Sequence, residues 1–331
     1  MKTLHSLVKI RPFGRLLAGL TFSALALGAQ AAWPEKPITL LVPFAPGGSS
    51  DNIARTLAPM LGEKLGKPIV IENVAGAGGM LGTQKAVRSA PDGYTIFLGS
   101  GSEILINKLI NPKVAYDGIK DLTPVVFVAT GPMVLVGSPS LAANSMADVI
   151  ALAKSKPGAL SYASAGNGTP MNVAGELLKM RAAIFMTHIP YRGASPALVD
   201  VMGGQVELGV STLSAAQPHI KAGKLKAFAV TAAKPSELAP NIPAMGQIKG
   251  LEGFDLGVWF GLFLPNKTPP DILQKIQQAA QQVLADPQVQ KRLAEQGITA
   301  SGESAEALGK FMATEVEKYR AVVKAANIKA E

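Results

Sequence analysis

The chain has 331 residues, 48% of them hydrophobic and none a cysteine, and its formal net charge is +9 at pH 7. That length exceeds what one ordinary core fills, so two lobes are expected, and the lack of thiols excludes disulfides, thiol catalysis and lipid attachment at an N-terminal cysteine. The positive balance suits anionic small molecules, but with no Lys/Arg run or basic–aromatic stripe it makes no case for nucleic acid.

Residues 1–31 read as a secretory signal peptide. Lys2, Lys9, Arg11 and Arg15 make a basic start, Leu16 to Gly28 a short apolar run, and Ala29-Gln30-Ala31 a small-x-small cleavage site ending near Ala31. A membrane anchor is the alternative, but the apolar run falls short of the ~20 residues that span a bilayer. Setting the segment aside removes four basic residues and leaves a charge of +5. The expected location is the bacterial periplasm.

Beyond it, strand-like runs alternate with helical patterns. Ile38 to Val42 precedes a helix near Asn52 to Leu65, and Ile69 to Glu72 precedes a glycine loop and a helix near Leu81 to Ser89. Tyr94 to Leu98 is entered through the turn Pro91-Asp92-Gly93. This alternation predicts an α/β fold with a mostly parallel sheet. A second set follows, with strands at Val125 to Val128, Val134 to Val136, Leu160 to Ala163, Thr187 to Ile189, Val206 to Val210 and Ala227 to Thr231. Helices are predicted between them over Met146 to Lys154, Asn172 to Arg181 and Pro196 to Met202.

The run Gly257 to Leu264 can carry the chain back to the first lobe, and Val125 to Val136 can be the outward crossing. The lobes expected are therefore 32–124 plus 259–331, discontinuous, and 125–258, with a ligand cleft between them. The C-terminal part is helical. Thr268-Pro269-Pro270-Asp271 reads as a cap with prolines in the first turn, Asp286-Pro287 starts another helix that stops at Gly297, and a last helix ends near Asn327.

Four loops fall after strands, where helix N-termini point free N–H groups outward. They are Pro46 to Asp51, Ala75 to Gly79, Gly99 to Ser102 (with Ser100) and Ser164 to Thr169. Glycines allow close backbone approach and hydroxyls add donors, so together the loops describe an anion cradle of neutral groups.

Enzyme readings fit poorly. Gly76-x-Gly78-x-x-x-Gly82 is an imperfect dinucleotide fingerprint without the acidic residue about 20 positions on, and Gly82 is followed by Thr83, so no phosphate-loop lysine is present. Tyr162-Ala163-Ser164-Ala165-Gly166 places Tyr162 where a nucleophile elbow needs glycine. After residue 31 the only histidines are His188 and His219, read as structural hydrogen-bonders, and no His/Asp/Glu pair has metal-ligand spacing. No enzyme activity, cofactor or metal is expected.

The stretches "WPEKPITLLVPFAPGGSSD", "ENVAGAGGMLGT", "APDGYTIFLGS", "YASAGNGT", "IPYRGASPAL", "PHIKAGKL" and "VVKAANIKAE" resemble the Bug family of periplasmic solute receptors of tripartite tricarboxylate transporters. The resemblance implies a type II periplasmic-binding-protein fold, two α/β lobes joined by two crossing strands and closing over a small carboxylate. It further implies delivery to membrane permease subunits, and a monomer. In that family the loop after the first strand and its counterpart in the second lobe grip one carboxylate, partly through ordered water.

Carried onto this chain, the grip falls to Phe44, Ala45, Gly47, Gly48, Ser49 and Asp51, and to Ser164, Gly166, Asn167, Gly168 and Thr169, with Ser49 and Thr169 as the best side-chain donors. Asp51 reads equally as a first-turn helix acid. Beside Tyr191, Arg192 is either the distal charge for a second carboxylate or a solvated loop residue. Phe44 and Trp259 are either core or cleft wall. At Val210-Ser211-Thr212 the family's acidic residue is missing, with Ser211 in its place. That shifts the expected ligand from an amino acid towards a dicarboxylate, hydroxy acid or aromatic acid.

Overall fold

The computed structural model describes residues 33–329, so the predicted signal peptide lies outside the described residues. The first apolar run forms β1 (Ile38–Val42), buried except at Thr39, followed by α1 (Ser49–Leu65), β2 (Ile69–Asn73), a 3-10 turn at Ala77–Gly79 and α2 (Met80–Arg88). β3 (Thr95–Ser100) runs straight into a π-helical turn, Ser102–Ile106, and the short α3 (Asn107–Ile110), two elements that the sequence pattern did not signal.

The two strands predicted over Val125–Val128 and Val134–Val136 are a single strand, β4 (Leu122–Gly137, 16 residues). Pro124 and Gly131-Pro132 interrupt the apolar pattern but not the strand. Register shifts between Pro124 and Val126 and between Phe127 and Ala129 absorb the irregularity, as β-bulges do. Then come α4 (Met146–Ser155), β5 (Ser161–Ser164), α5 (Pro170–Ala182), β6 (Thr187–Pro190), α6 (Ala194–Met202), β7 (Leu208–Thr212), α7 (Leu213–Lys221) and β8 (Lys226–Val230). α7 was missing from the sequence reading.

β9 (Gly257–Pro265) returns the chain, and α8 (Pro270–Leu284), α9 (Pro287–Glu295), β10 (Thr299–Ala300) and α10 (Ala305–Ala325) complete it. α9 is capped as predicted, with Asp286 accepting from the N–H groups of Gln288 and Val289. At α8 the cap position is Pro269 rather than Thr268, whose hydroxyl donates instead to the carbonyl of Pro265.

From Lys36 onward the chain is one compact unit. Its sheet order is β2-β1-β3-β9-β4-β7-β5-β6, with β8 and β10 also on β4. Parallel pairs sit at both flanks (β1 with β2 and β3; β5 with β6 and β7), while the β9 and β4 pairings are antiparallel, so the sheet is mixed rather than mostly parallel. β4 lies against β9 from Leu122 to Pro132, then against β7 and β8 from Met133 to Gly137. The change of partners divides the sheet into a first half around β1 and a second half around β5.

Each half has its own apolar packing. Leu40, Ile53, Leu57 and Phe97 are buried in the first, and Val134, Tyr162, Leu178 and Leu208 in the second. Burying such side chains is worth about 1.5–3 kcal/mol each. Trp259 is 1% exposed and meets Phe311 of α10 edge-on with centroids 5.9 Å apart, which makes it core.

Candidate functional site

The loops at the carboxyl ends of the parallel strands meet one another across the two halves. The Ala45 N–H donates to the Arg192 carbonyl at 3.3 Å. Ser49, first residue of α1, is hydrogen-bonded to the Thr212 hydroxyl and accepts from Ser214 at 2.6 Å. A Cβ on Gly78 (φ +58°) would stand 2.1 Å from the Asn167 carbonyl, so only glycine lets those two loops approach this closely.

Between them lies a cavity of about 30 Å³ lined from the first half by Phe44, Gly48, Ser49, Ser50, Ser100 and Ser102. Ala165, Pro170, Met171, Ala194 and Thr212 line it from the second, and Val258 and Phe260 of β9 close one side. A volume of that size holds about two waters. Entry of a ligand with several carbon atoms therefore requires the loops to part.

Four helix N-termini point at this cavity: α1 through Gly48 and Ser49, α5 through Pro170, α6 through Ala194 and α7 through its cap Thr212. α5 and α7 have side-chain caps, Thr169 and Thr212. α1 and α6 are led by Gly48 and Gly193, which give no side-chain hydrogen bond. The first N–H groups of a helix have no partner within it and carry the positive end of its dipole. Here they belong to buried residues, Ser49, Ser50 and Ala194. Among the described residues no charged side chain lines the cavity. The result is a small chamber with apolar walls, Phe44, Met171, Val258 and Phe260 among them, and with hydroxyls and amide donors at the helix starts, suited to an anion that brings its own charge and a carbon skeleton.

Several predicted site residues serve the scaffold behind that chamber. Asp51 is fully engaged by the Gly47 N–H (2.9 Å), the Arg55 guanidinium (2.8 and 3.1 Å) and the Asn73 amide (3.1 Å), and Asn73 also donates to the Phe44 carbonyl. Burial pushes the Asp51 carboxyl up, but the hydrogen bonds from Arg55, Gly47 and Asn73 outweigh it and hold the group below the ordinary range. Asp51 thus clamps the first loop.

The second loop is held by neutral groups. The Thr169 hydroxyl donates to the Gly166 carbonyl (2.7 Å) and accepts from the Asn172 N–H as the α5 cap, which leaves no hydrogen for a ligand. The Gly168 N–H donates to Asn172 Oδ1 at 3.2 Å, which fixes the orientation of that amide. Asn172 Nδ2 then faces His188 Nδ1 at 3.3 Å, so Nδ1 accepts and the ring proton sits on Nε2. Nε2 donates to Ser164 at 2.7 Å, and Ser164 passes its own hydrogen to the Gly166 carbonyl at 3.1 Å.

This tautomer is the wrong one for a base: His188 gives Ser164 a proton rather than taking one. Burial also lowers His188 to about 4. Tyr162 stacks on the ring with centroids 4.9 Å apart and donates to Glu176 at 2.7 Å.

The remaining predicted residues lie as follows. Phe44, Gly48, Ser49 and Ser100 line the cavity. Gly166 and Asn167 lie in the loop contact with Gly78. The Tyr191 hydroxyl donates to Asp200 at 2.6 Å, and the Arg192 side chain is exposed. Ser211 is buried on β7 with its hydroxyl unpartnered, outside the cavity lining. The sequence reading placed Ser102 in its third loop without singling it out, and did not select Thr212 or Ser214. Ser102 is fully buried with no partner for its hydroxyl, and its place in the loop after β3 was the available signal.

Residues 53–328 match the Tripartite tricarboxylate transporter family receptor family, TctC. Among solved structures, the periplasmic binding protein BugD is 32% identical, with 90% of this chain and 100% of that one covered and a TM-score of 0.86. Rpa4515 of R. palustris, solved with adipate, is 31% identical over 90% of this chain and 99% of its own, with a TM-score of 0.87. MatC (Rpa3494) from Rhodopseudomonas palustris, with bound malate, is 31% identical over 88% of this chain and 100% of its own, with a TM-score of 0.84. The fold is accordingly that of the periplasmic binding proteins, as the sequence resemblance implied. The chain belongs to the tripartite tricarboxylate transporter receptor family and is one of its periplasmic solute-binding proteins.

Proposed function

We propose that this receptor, exported through a signal peptide cleaved near Ala31, captures a small organic carboxylate: a dicarboxylate, hydroxy acid or aromatic acid. It does so between two lobes, 32–124 plus 259–331 and 125–258, and delivers the ligand to a tripartite tricarboxylate-type permease without chemical change. The observation that carries the reading is the pair of buried helix starts at Gly48 and Gly193, uncapped and turned to a chamber that carries hydroxyls on otherwise apolar walls and, among the described residues, no cation. Hydrogen bonds to an ionised group contribute about 1.5–3 kcal/mol each, so four or five offset the desolvation of one carboxylate. The absence of an acidic side chain from the lining disfavours an α-ammonium group, and the adipate and malate bound by the two relatives belong to the class this chamber suits.

In this reading the loop contacts at Ala45 and Arg192, Ser49 and Thr212, and Gly78 and Asn167 are the closed latch of the cleft. Ser102, and whichever of the Ser49 and Thr212 hydroxyls does not give its hydrogen to the other, donate to the ligand, with Ser214 holding Ser49 from behind. Thermal unfolding against a panel of dicarboxylates, amino acids, sugars and nucleotides tests it. A ligand at about 1,000 times its dissociation constant stabilises by about 4 kcal/mol. The expected rise is confined to carboxylates, and Ser102→Ala weakens binding about tenfold by removing a donor. A rise with nucleotides alone sinks the reading.

A further inference from the structure

Behind the chamber wall lies a carboxyl group that the carboxylate reading does not use. Glu103, in the π-helical turn after β3, is 1% exposed. Its Oε2 accepts both the N–H and the hydroxyl of Ser100, each at 2.7 Å, while Oε1 has no partner. A Cβ on Gly79 would lie 2.7 Å from that free oxygen, so the glycine turn presses directly on it.

The titratable groups that face Glu103 are the phenols of Tyr116, from the loop after α3, and Tyr319, from α10, with Glu315 behind the latter. Burial holds Tyr116 up at about 12 and Tyr319 well above the usual range, so both are neutral. Lys318 of α10 is paired with Glu315 and Asp255. Among the described residues no cation is paired with Glu103.

Ser100 has one hydrogen to give. In the present geometry it points at Glu103, and the hydroxyl shows the cavity only lone pairs, which an incoming carboxylate meets as repulsion. Protonated on Oε2, Glu103 becomes the donor, and the Ser100 hydrogen is free to turn into the cavity. We propose that Glu103 is a positioning residue for the anion site, setting the direction of the Ser100 hydroxyl, so that capture of a carboxylate is accompanied by uptake of one proton from solvent at Glu103. The inference rests on the carboxylate reading of the cavity. Burial opposed only by the Ser100 and backbone hydrogen bonds raises Glu103 to about 7, within reach of such a switch.

The test is calorimetry of adipate binding to the purified protein in two buffers of different ionisation heat, at about pH 6 and about pH 8, where a dicarboxylate is already ionised. Wild type is expected to take up close to one proton per adipate at the higher pH and almost none at the lower. Its dissociation constant rises by up to about tenfold per pH unit above pH 7. Glu103→Gln keeps acid-like affinity at both pH values and takes up no proton. Ser100→Ala binds more weakly and also loses the uptake, a second readout should the first variant fold poorly.

No proton uptake by wild type, with a pH profile unchanged in Glu103→Gln, overturns the inference and leaves the carboxylate site standing. Binding that tightens as the pH rises overturns it as well. Failure of wild type to bind adipate or malate at either pH removes the carboxylate reading itself, and this inference with it.

Discussion

The two loops that face each other across the chamber are held by opposite kinds of chemistry. The first is tied by a charged clamp at the rim, where Asp51 collects Arg55, Asn73 and the Gly47 N–H, and Arg55 remains 57% exposed. The second is tied by a buried and neutral chain through Gly168, Asn172, His188, Ser164 and Gly166. The Arg55 end of the clamp is solvated and its charge screened, although the Asp51 carboxylate is buried, whereas the links of the second chain are buried or half-buried throughout and costly to leave incomplete. The second loop is therefore the rigid jaw, and the first is the one free to adapt.

Breaking the neutral chain should cost most. Asn172→Ala strips partners from the Gly168 N–H, His188 Nδ1 and Tyr162 together. A loss of roughly 3 kcal/mol in denaturant unfolding is expected. A loss under about 1 kcal/mol would mean that water replaces the amide and the jaw is not rigid.

Acid should separate the halves next. His188, lowered to about 4 from 6.5, contributes stability that is present above about pH 6.5 and lost as pH falls towards 4. Glu103, raised to about 7 from 4.5, has the reverse sign: its contribution is complete below 4.5 and lost as pH rises through 7. Each is of order 3 kcal/mol, so between about pH 4.5 and 6.5 they largely cancel and the wild-type profile is flat. His188→Gln should gain stability on acidification over that range, and Glu103→Gln should lose it. Parallel profiles for the two variants would contradict the assignment.

The smallest effect belongs to the charged clamp. Asp51→Asn should cost about 1–2 kcal/mol of stability, since the buried amide keeps one acceptor and Arg55, already largely solvated, can turn to water. Ligand affinity should fall further than stability as the first loop loosens, and calorimetry beside unfolding resolves the two. Equal losses would make the first loop as stiff as the second.

The loops themselves were legible in the sequence, because glycine and hydroxyl runs after apolar strands mark helix starts that must be left open. Thr169 as a cap was legible too, since threonine before a proline at the first helical position is a cap pattern, although the resemblance drew attention to its donor role. The pairing of Asp51 with Arg55 was likewise written in the i,i+4 spacing. What could not be read was tertiary. Nothing local brings Thr212 and Ser214 to Ser49, or directs Glu103 inward beneath Ser100. β4 read as two strands because Pro124 and Pro132 normally end a ladder. Here a bulge takes up Pro124, and Pro132 falls where β4 leaves β9 for β7.

The long reach of β9 has a consequence for how the chain comes together. Phe97 on β3 finds its opposite number, Phe263, only after all of β4 to β8 has been made, whereas β5 pairs with β6 across α5 alone and with β7 across only α5, β6 and α6. Closing so large a loop is entropically expensive, and pairings of this separation slow folding. Until residues 257–265 arrive, the inner edge of β3 is a row of unsatisfied amides and carbonyls, a surface on which strange strands can add. The part of the molecule synthesised first is thus the last that can hide its edge.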